Sequence, residues 1–457
     1  MQRPARIKGD ATAIEERRYD PPRSGEMLYL LEDRPEPWVA CYAALQHLLS
    51  MFVSLVTPSI IICNAMDLGA ADTRYVVSMA LIVSGVSTFI QARRFGPVGS
   101  GLLAVQGTSF SFLGPLITAG SAGGLSLVFG LCLAGSFVEM LASRAIPYVR
   151  RVLTPVVSGV VVTLIGLTLI EVGISYCAGG DPARAAENYG APRHLLLAGF
   201  VAIVIVFLNS RSTGWIRMSA IAGGLLAGYA VAWPLGMLEF SSVREAGWFT
   251  MPHPLRYGLD FQWSYFIPIV LVYLVTIVEA CGDMTATSLF SGEPTSGPRY
   301  IRRLGNGVLG DGVNSMLASL FCTFPNTTFS QNNSVIQLTG VASRQVAYFL
   351  APMLILLGVF PKVAGIVASV PEAVLGGASL VMFGAITAAG IRMMTQETLN
   401  RRSTLIIATG LGVGMGITFE PGILDGYPEH VRNILGSGIV TGGVTALVMN
   451  CLIPANE

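Results

Sequence analysis

Apolar runs recur along most of the chain, each close to the length of a bilayer-crossing helix and each bounded by brief polar punctuation. They predict fourteen spans, near residues 38–63, 73–92, 104–119, 124–142, 152–171, 194–210, 215–237, 263–283, 305–323, 331–342, 346–365, 370–388, 403–418 and 434–453. The third and tenth depart from the pattern. Ala104-Val105-Gln106-Gly107-Thr108-Ser109-Phe110 is β-prone, and so is Thr323-Phe324-Pro325-Asn326-Thr327-Thr328-Phe329-Ser330 ahead of the tenth. Pro325 and the threonines oppose a through-going helix. We therefore expect two short extended segments crossing at mid-membrane, each leading into a half-helix. Their backbone groups cannot face lipid unpaired, so they pair with each other and with a polar ligand.

An internal repeat underlies this pattern. Gly107-Thr108-Ser109-Phe110-Ser111 matches Asn326-Thr327-Thr328-Phe329-Ser330 at an offset of 219, while Pro155/Pro371, Gly159/Gly376, Gly166/Gly384 and Gly173/Gly390 match at offsets of 216 to 218. Seven spans per half is an odd number, which turns the second half upside down. The predicted fold class is an all-α membrane protein with 14 transmembrane segments in a 7+7 inverted repeat, carrying short extended strands in segments 3 and 10. Inverted repeats of this kind build secondary transporters that bind substrate near the midplane, where paired helices are interrupted.

Composition narrows the choice. The 457 residues are 52% hydrophobic and only 12% charged, against about 25% charged in soluble domains, and mean hydropathy is +0.63. A soluble fold and a disordered chain are both excluded, and a net charge of +1 argues against nucleic acid as a partner. Residues 1–37 are polar and lack a signal-peptide core, so they read as a cytoplasmic tail. With the N-terminus inside, the fourteen spans place 21 of the 28 Lys and Arg on the cytoplasmic side and 7 outside, as the positive-inside rule requires. The expected location is the cytoplasmic (inner) membrane, multi-pass, with both termini cytoplasmic. The seven cysteines show no CxxC or Cys/His pairing, which points to neither a disulfide framework nor a metal site. No Walker motif appears, and Gly410–Gly416 lies in an apolar span where close helix packing explains it. No cofactor is expected, and no catalytic role.

Ionisable groups inside apolar runs are expensive and functional by default. Glu279 and Asp283 stand four apart on one face of the eighth span, Asp311 lies in the ninth, and His47 follows Gln46 in the first. The plainer alternative for each is a polar side chain satisfied by backbone donors or a neighbouring hydroxyl. Glu139 and Glu171 sit near span ends, where snorkelling is cheap, and are read as structural. Acids in low dielectric can carry protons, as a proton-coupled carrier requires.

The segment Phe329–Arg344, FSQNNSVIQLTGVASR, resembles the signature of the nucleobase–ascorbate transporter family (nucleobase:cation symporter-2), and its bacterial xanthine permease subgroup in particular. Gln46-His47-Leu48-Leu49, Glu279–Thr287 (EACGDMTAT) and Gly310-Asp311-Gly312 agree with it. The resemblance implies a core domain from spans 1–4 and 8–11 (residues 38–150 and 263–368) and a gate domain from spans 5–7 and 12–14 (residues 151–262 and 369–457), the gate being the expected homodimer contact. It implies symport of a purine nucleobase, xanthine and/or urate, with H+. Glu279 is then the substrate carboxylate, Gln331 its partner amide and Phe110 the aromatic contact, with Ser109, Ser330 and Asn332 beside them. Asp311, His47 and Asp283 are the proton-coupling groups. Xanthine-type members commonly carry Asn where this chain has Ser109, and the smaller side chain widens that edge for the extra carbonyl of urate. Ser334 stands where the family usually has Gly. Uracil or another nucleobase, and an anion carrier of the related sulfate-transporter fold, are the competing readings.

Overall fold

The computed structural model describes residues 27–147, 154–210, 220–238, 244, 247–395, 399–428, 431 and 435–453. Most of the expected tail, the expected boundary at 150/151, and Arg150, Arg151, Arg211, Arg217 and Arg432 of the arginine tally lie outside the described residues.

The principal helices are α1 (Pro37–Ala65), α2 (Ala70–Arg93), α3 (Leu113–Ala142), α4 (Pro155–Cys177), α5 (Pro192–Asn209), α6 (Ala220–Ala232), α7 (Trp263–Phe290), α8 (Gly297–Leu320), α9 (Gln331–Thr339), α10 (Gln345–Val359), α11 (Glu372–Met394), α12 (Arg401–Phe419) and α13 (Gly438–Leu452). Their starts follow from local chemistry. Proline opens α1, α4 and α5, where its missing N–H is no loss. The side chains of Thr154, Asn400 and Ser437 accept from backbone N–H groups at the starts of α4, α12 and α13.

Among the described residues eight helices are long and apolar enough to cross a membrane, and three shorter ones (α6, α10 and α13) are also apolar. The difference from the expected fourteen has physical causes. The predicted third and fourth spans form one rod, α3, broken at Gly124, whose φ of 68° and ψ of −168° are outside helical space. Helix α8 is too polar to meet the measure of an apolar span, because it carries Arg299, Arg302, Arg303, Asn306, Asp311 and Asn314. Helix α9 has only nine residues.

The two expected extended segments are present and paired. Strands β1 (Gln106–Thr108) and β2 (Asn326–Thr328) form an antiparallel two-stranded sheet with Gly107 opposite Thr327. The pairing continues at both ends, where Ser109 N donates to Pro325 O at 3.1 Å and Phe329 N donates to Val105 O at 3.0 Å. Gly107 makes room here: a Cβ would run into the Leu55 side chain and lie 2.9 Å from the Phe329 ring, so both side chains would have to shift.

Around the sheet, α2 packs on α10, α1 and α8, and α3 packs on α8 and α7. A second group joins α4 to α11, α12 and α13, with α5 and α6 against α11. Most of the glycines singled out by the repeat, though not Gly384, lie in the α4–α11 contact, which is antiparallel. Gly159 meets Gly390 and Met394, Gly166 meets Thr387, Gly173 meets Leu380 and Phe383, and Gly376 meets Cys177.

This contact yields a contrast between two positions on α11. A Cβ at Gly390 would lie 2.5 Å from Thr163 N and 2.9 Å from Gly159 O, whereas one at Gly384 meets nothing within 4 Å. Gly390→Val is expected to lower stability by about 1–3 kcal/mol or more and Gly384→Ala to be tolerated. Thermal unfolding of the detergent-purified protein checks both, and equal melting of the two variants would contradict the packing.

Candidate functional site

Helix α7 brings Glu279 and Asp283 to one face. Glu279 is half-buried, and among the described residues its carboxylate accepts one hydrogen bond, from Ser111 Oγ at 3.5 Å. That is the outer limit for such a bond. A carboxylate with about four acceptor sites is therefore largely uncommitted. Ser111 belongs to the turn Phe110–Phe112 that follows β1, so Glu279 lies against the first chain break.

Asp283, one turn on, lies against the second. Ser330 Oγ donates to Asp283 Oδ2 at 2.9 Å. Asn333 Nδ2 donates to the Asp283 carbonyl at 3.3 Å, and Thr287 Oγ1 donates to Asn333 Oδ1 at 2.7 Å. These bonds fasten the start of α9 to α7. Gln331, at the first position of α9, is exposed and its amide has no partner among the described residues. Phe110 is half-buried and sets its ring at 78° to that of Phe383 on α11, with centroids 6.4 Å apart. Phe383 thus brings a helix of the second packing group to the site. An aromatic in an apolar run gives no sequence signal for that role.

Two residues expected at the ligand are engaged otherwise. Ser109 is buried, and its hydroxyl accepts from Ser111 N, capping the turn. Asn332 is fully buried, with Nδ2 donating to Leu103 O at 2.6 Å. Both side chains are bonded to backbone groups.

Asp311 on α8 is fully buried and does not meet Glu279 directly through a hydrogen bond. Its Oδ1 accepts from Gln91 Nε2 at 2.5 Å, and the same amide nitrogen donates to Gly307 O at 2.8 Å while Gln91 Oε1 accepts from Ser100 N at 2.8 Å. Beside it, Gln106 Nε2 donates to Thr328 Oγ1 across the strands at 2.9 Å, Gln106 N donates to Thr88 Oγ1 at 3.0 Å, and Asn326 Nδ2 donates to Ser87 Oγ at 3.2 Å. His47 is fully buried on α1, and neither ring nitrogen has a hydrogen-bond partner among the described residues.

Sequence reasoning weighed acids and histidine and passed over these amides. Gln91 and Gln106 inside apolar runs were the available signal, since an amide that both donates and accepts can bridge elements. Glu139 needs correction. Its expected place is a span end where it can snorkel, but it is 1% exposed on α3, and its Oε2 has no hydrogen-bond partner among the described residues. The cause is the close α3–α8 contact at Gly312, where a Cβ would lie 3.0 Å from Met140 N. Glu171 is exposed, in line with its structural reading.

Comparison with known proteins fits this geometry. A sequence model of the Permease family (Xan_ur_permease) matches residues 39–423. The chain is 48% identical over 445 residues to the xanthine permease XanP of Escherichia coli (strain K12), covering 95% of this chain and 96% of that protein. It is 43% identical over 438 residues to the xanthine permease XanQ of the same strain, covering 94% of each. It is 33% identical over 411 residues to the uric acid permease PucJ of Bacillus subtilis (strain 168), covering 89% of this chain and 91% of that one. In fold it resembles the transmembrane domain of the cyanobacterial bicarbonate transporter BicA, with a TM-score of 0.62 at 14% identity over 89% of this chain and 96% of that one. It also resembles the murine anion transporter Slc26a9 in its inward-facing state, with a TM-score of 0.60 at 12% identity over 91% and 69% of the two chains. At such identities these likenesses bear on the fold alone. The protein is a multi-pass membrane protein of transporter fold, and its relatives are permeases rather than enzymes. The match across residues 39–423 and the near full-length identity place the chain in the nucleobase–ascorbate transporter family.

Proposed function

We propose that this protein is a secondary active transporter that carries a purine nucleobase, xanthine and/or urate, into the cell together with a proton. The observation that carries the reading is the uncommitted Glu279 carboxylate, set on α7 between Ser111 of the first chain break and the Asp283–Ser330 bond at the second. A purine-dione ring presents N–H donors and C=O acceptors in alternation. Glu279 accepts from the N–H groups, the Gln331 amide both donates and accepts, and Phe110 covers the ring. A site of this kind rejects ligands that lack the donors, because its acceptor would be left unpaired. The names of the relatives, xanthine and uric acid permeases, agree with this choice.

In this reading the fourteen spans form a 7+7 inverted repeat, with both termini cytoplasmic and the protein in the inner membrane. The antiparallel packing of α4 on α11, the two helices that the glycine offsets relate, supports the repeat. The core comprises residues 38–150 and 263–368, and the gate, residues 151–262 and 369–457, rocks against it and pairs two copies as a homodimer. Asp311 is the proton-coupling acid, with His47 and Asp283 as further polar groups of that path. The bicarbonate and anion transporters of similar fold raise an anion carrier as the competing reading. A carboxylate acceptor at the proposed site favours a ligand with ring N–H donors, which the nucleobase has and an inorganic anion lacks.

Glu279→Gln is expected to reduce uptake of labelled xanthine about a hundredfold, the scale of a lost pair of charged hydrogen bonds, with surface expression unchanged. Near-normal uptake would refute the binding site. Asp311→Asn is expected to abolish accumulation driven by an imposed pH gradient in proteoliposomes. Gradient-driven accumulation equal to that of the unaltered protein would move the coupling site elsewhere. Competition by urate, uracil, hypoxanthine and guanine separates xanthine from urate and from other nucleobases.

A further inference from the structure

We propose that the pocket ringed by five arginines at one end of the core helices binds a phosphate group. The cavity, of about 130 Å³, is lined by Arg94, Arg299, Arg302, Arg303 and Arg344 together with Asn306. Three separate stretches deliver these side chains, a fourth, before α1, adds Glu32, and backbone bonds hold the stretches in place. The segment before α1 runs along the exit of α9, with Leu28 N donating to Gly340 O at 2.8 Å, Ala342 N to Tyr29 O at 2.9 Å and Arg344 N to Leu31 O at 3.3 Å. The loop after α2 joins α8 through Gly99 N, which donates to Asn306 O at 2.9 Å.

The charges around this pocket do not balance. Among the described residues, Glu32 pairs with Arg344, and Glu293 pairs with Arg303 at 2.8 Å and Arg299 at 3.5 Å. Among the described residues, five cations against two paired carboxylates leave an excess of three positive charges. The Arg303 side chain is only 12% exposed, and its buried Nη1 has no acceptor among the described residues. A buried guanidinium N–H without an acceptor is costly.

Helix polarity adds to the mismatch. Arg299, Arg302 and Arg303 occupy the first two turns of α8, whose cap residue Ser296 makes no side-chain cap bond and whose first turn holds no acid. Cations at the positive end of a helix are repelled, and that end favours anions. A tetrahedral phosphate oxyanion answers all three features at once, and the guanidinium fork suits it. The positive-inside tendency accounts for arginines on this side of the membrane. It does not account for their convergence on one pocket with a buried N–H left over.

The phosphate belongs to one of two sources, a soluble phosphate compound or the headgroup of an anionic phospholipid. The test titrates the purified full-length protein, without substrate, separately with inorganic phosphate and with short-chain phosphatidylglycerol, reading binding by calorimetry and native mass spectrometry. The unaltered protein is expected to bind one equivalent of at least one probe. The double variant Arg302→Gln/Arg303→Gln is expected to weaken it about tenfold or more, as the loss of charge-assisted hydrogen bonds requires. Arg94 is exposed, and among the described residues its guanidinium donates to Gly96 O on its own loop, at 3.2 Å. Arg94→Gln therefore keeps the fold and decides the matter if the double variant does not assemble. Arg392→Gln, on an exposed residue outside the pocket, is expected to bind like the unaltered protein. Binding of phosphate alone assigns the soluble source, and binding of phosphatidylglycerol alone assigns the lipid. No binding of either probe, or equal weakening in the Arg94 and Arg392 variants, overturns the proposal. Because no nucleobase is present, the outcome is independent of the transport reading.

Discussion

Two interruptions of helix inside a membrane protein leave backbone groups that lipid cannot satisfy, and the rest of this molecule is arranged around meeting that constraint. The interruptions meet each other. Only three residues from each half pair formally, but the flanking bonds from Ser109 to Pro325 and from Phe329 to Val105 extend the seam. The seam fixes where the Phe110 turn and α9 begin. From those two places Ser111 and Ser330 reach α7, so the position of Glu279 relative to them depends on it.

So short a sheet is not stable alone. It is braced by amides. Gln106 ties the strands to each other and to α2, Asn326 ties β2 to α2, and Ser315 Oγ on α8 donates to Asn326 O. Gln91 then joins α2, α8 and the loop at Ser100, placing its amide on Asp311. A network of this kind is rigid when its members are satisfied. It also explains why α8 is the least apolar of the long helices, since its polar face is turned into protein. Glu139 belongs to the same neighbourhood, which puts a second acid close to Asp311.

Serine and asparagine side chains near the site divide by what they bond. Ser109 and Asn332 hold backbone, and Ser330 holds Asp283. Of the groups expected at the ligand, the Glu279 carboxylate and the Gln331 amide are the least engaged, and Asn332 keeps one further acceptor, its Oδ1, without a partner among the described residues. In the proposed transport reading, recognition therefore rests on few groups, and the residues around them set geometry. The Ser109 hydroxyl caps the turn that carries Phe110 and Ser111.

The sequence by itself determined the membrane class, the two interrupted segments, the family signature and the acids of α7 and α8. Each of these is written in local terms, as runs of apolar residues, β-prone stretches with Pro325, or ionisable groups set in apolar surroundings. The repeat glycines were visible as offsets, but their meeting between α4 and α11 was not, because offset says nothing about which faces touch. Tertiary structure alone decided that Glu139 is buried beside α8, that Phe383 reaches Phe110, that Ser109 and Asn332 serve backbone, and that five arginines from separate stretches share one cavity. The physical reason is common to all of them. Whether a polar side chain is free or bonded depends on partners distant in the chain, and only packing brings those partners within hydrogen-bond reach.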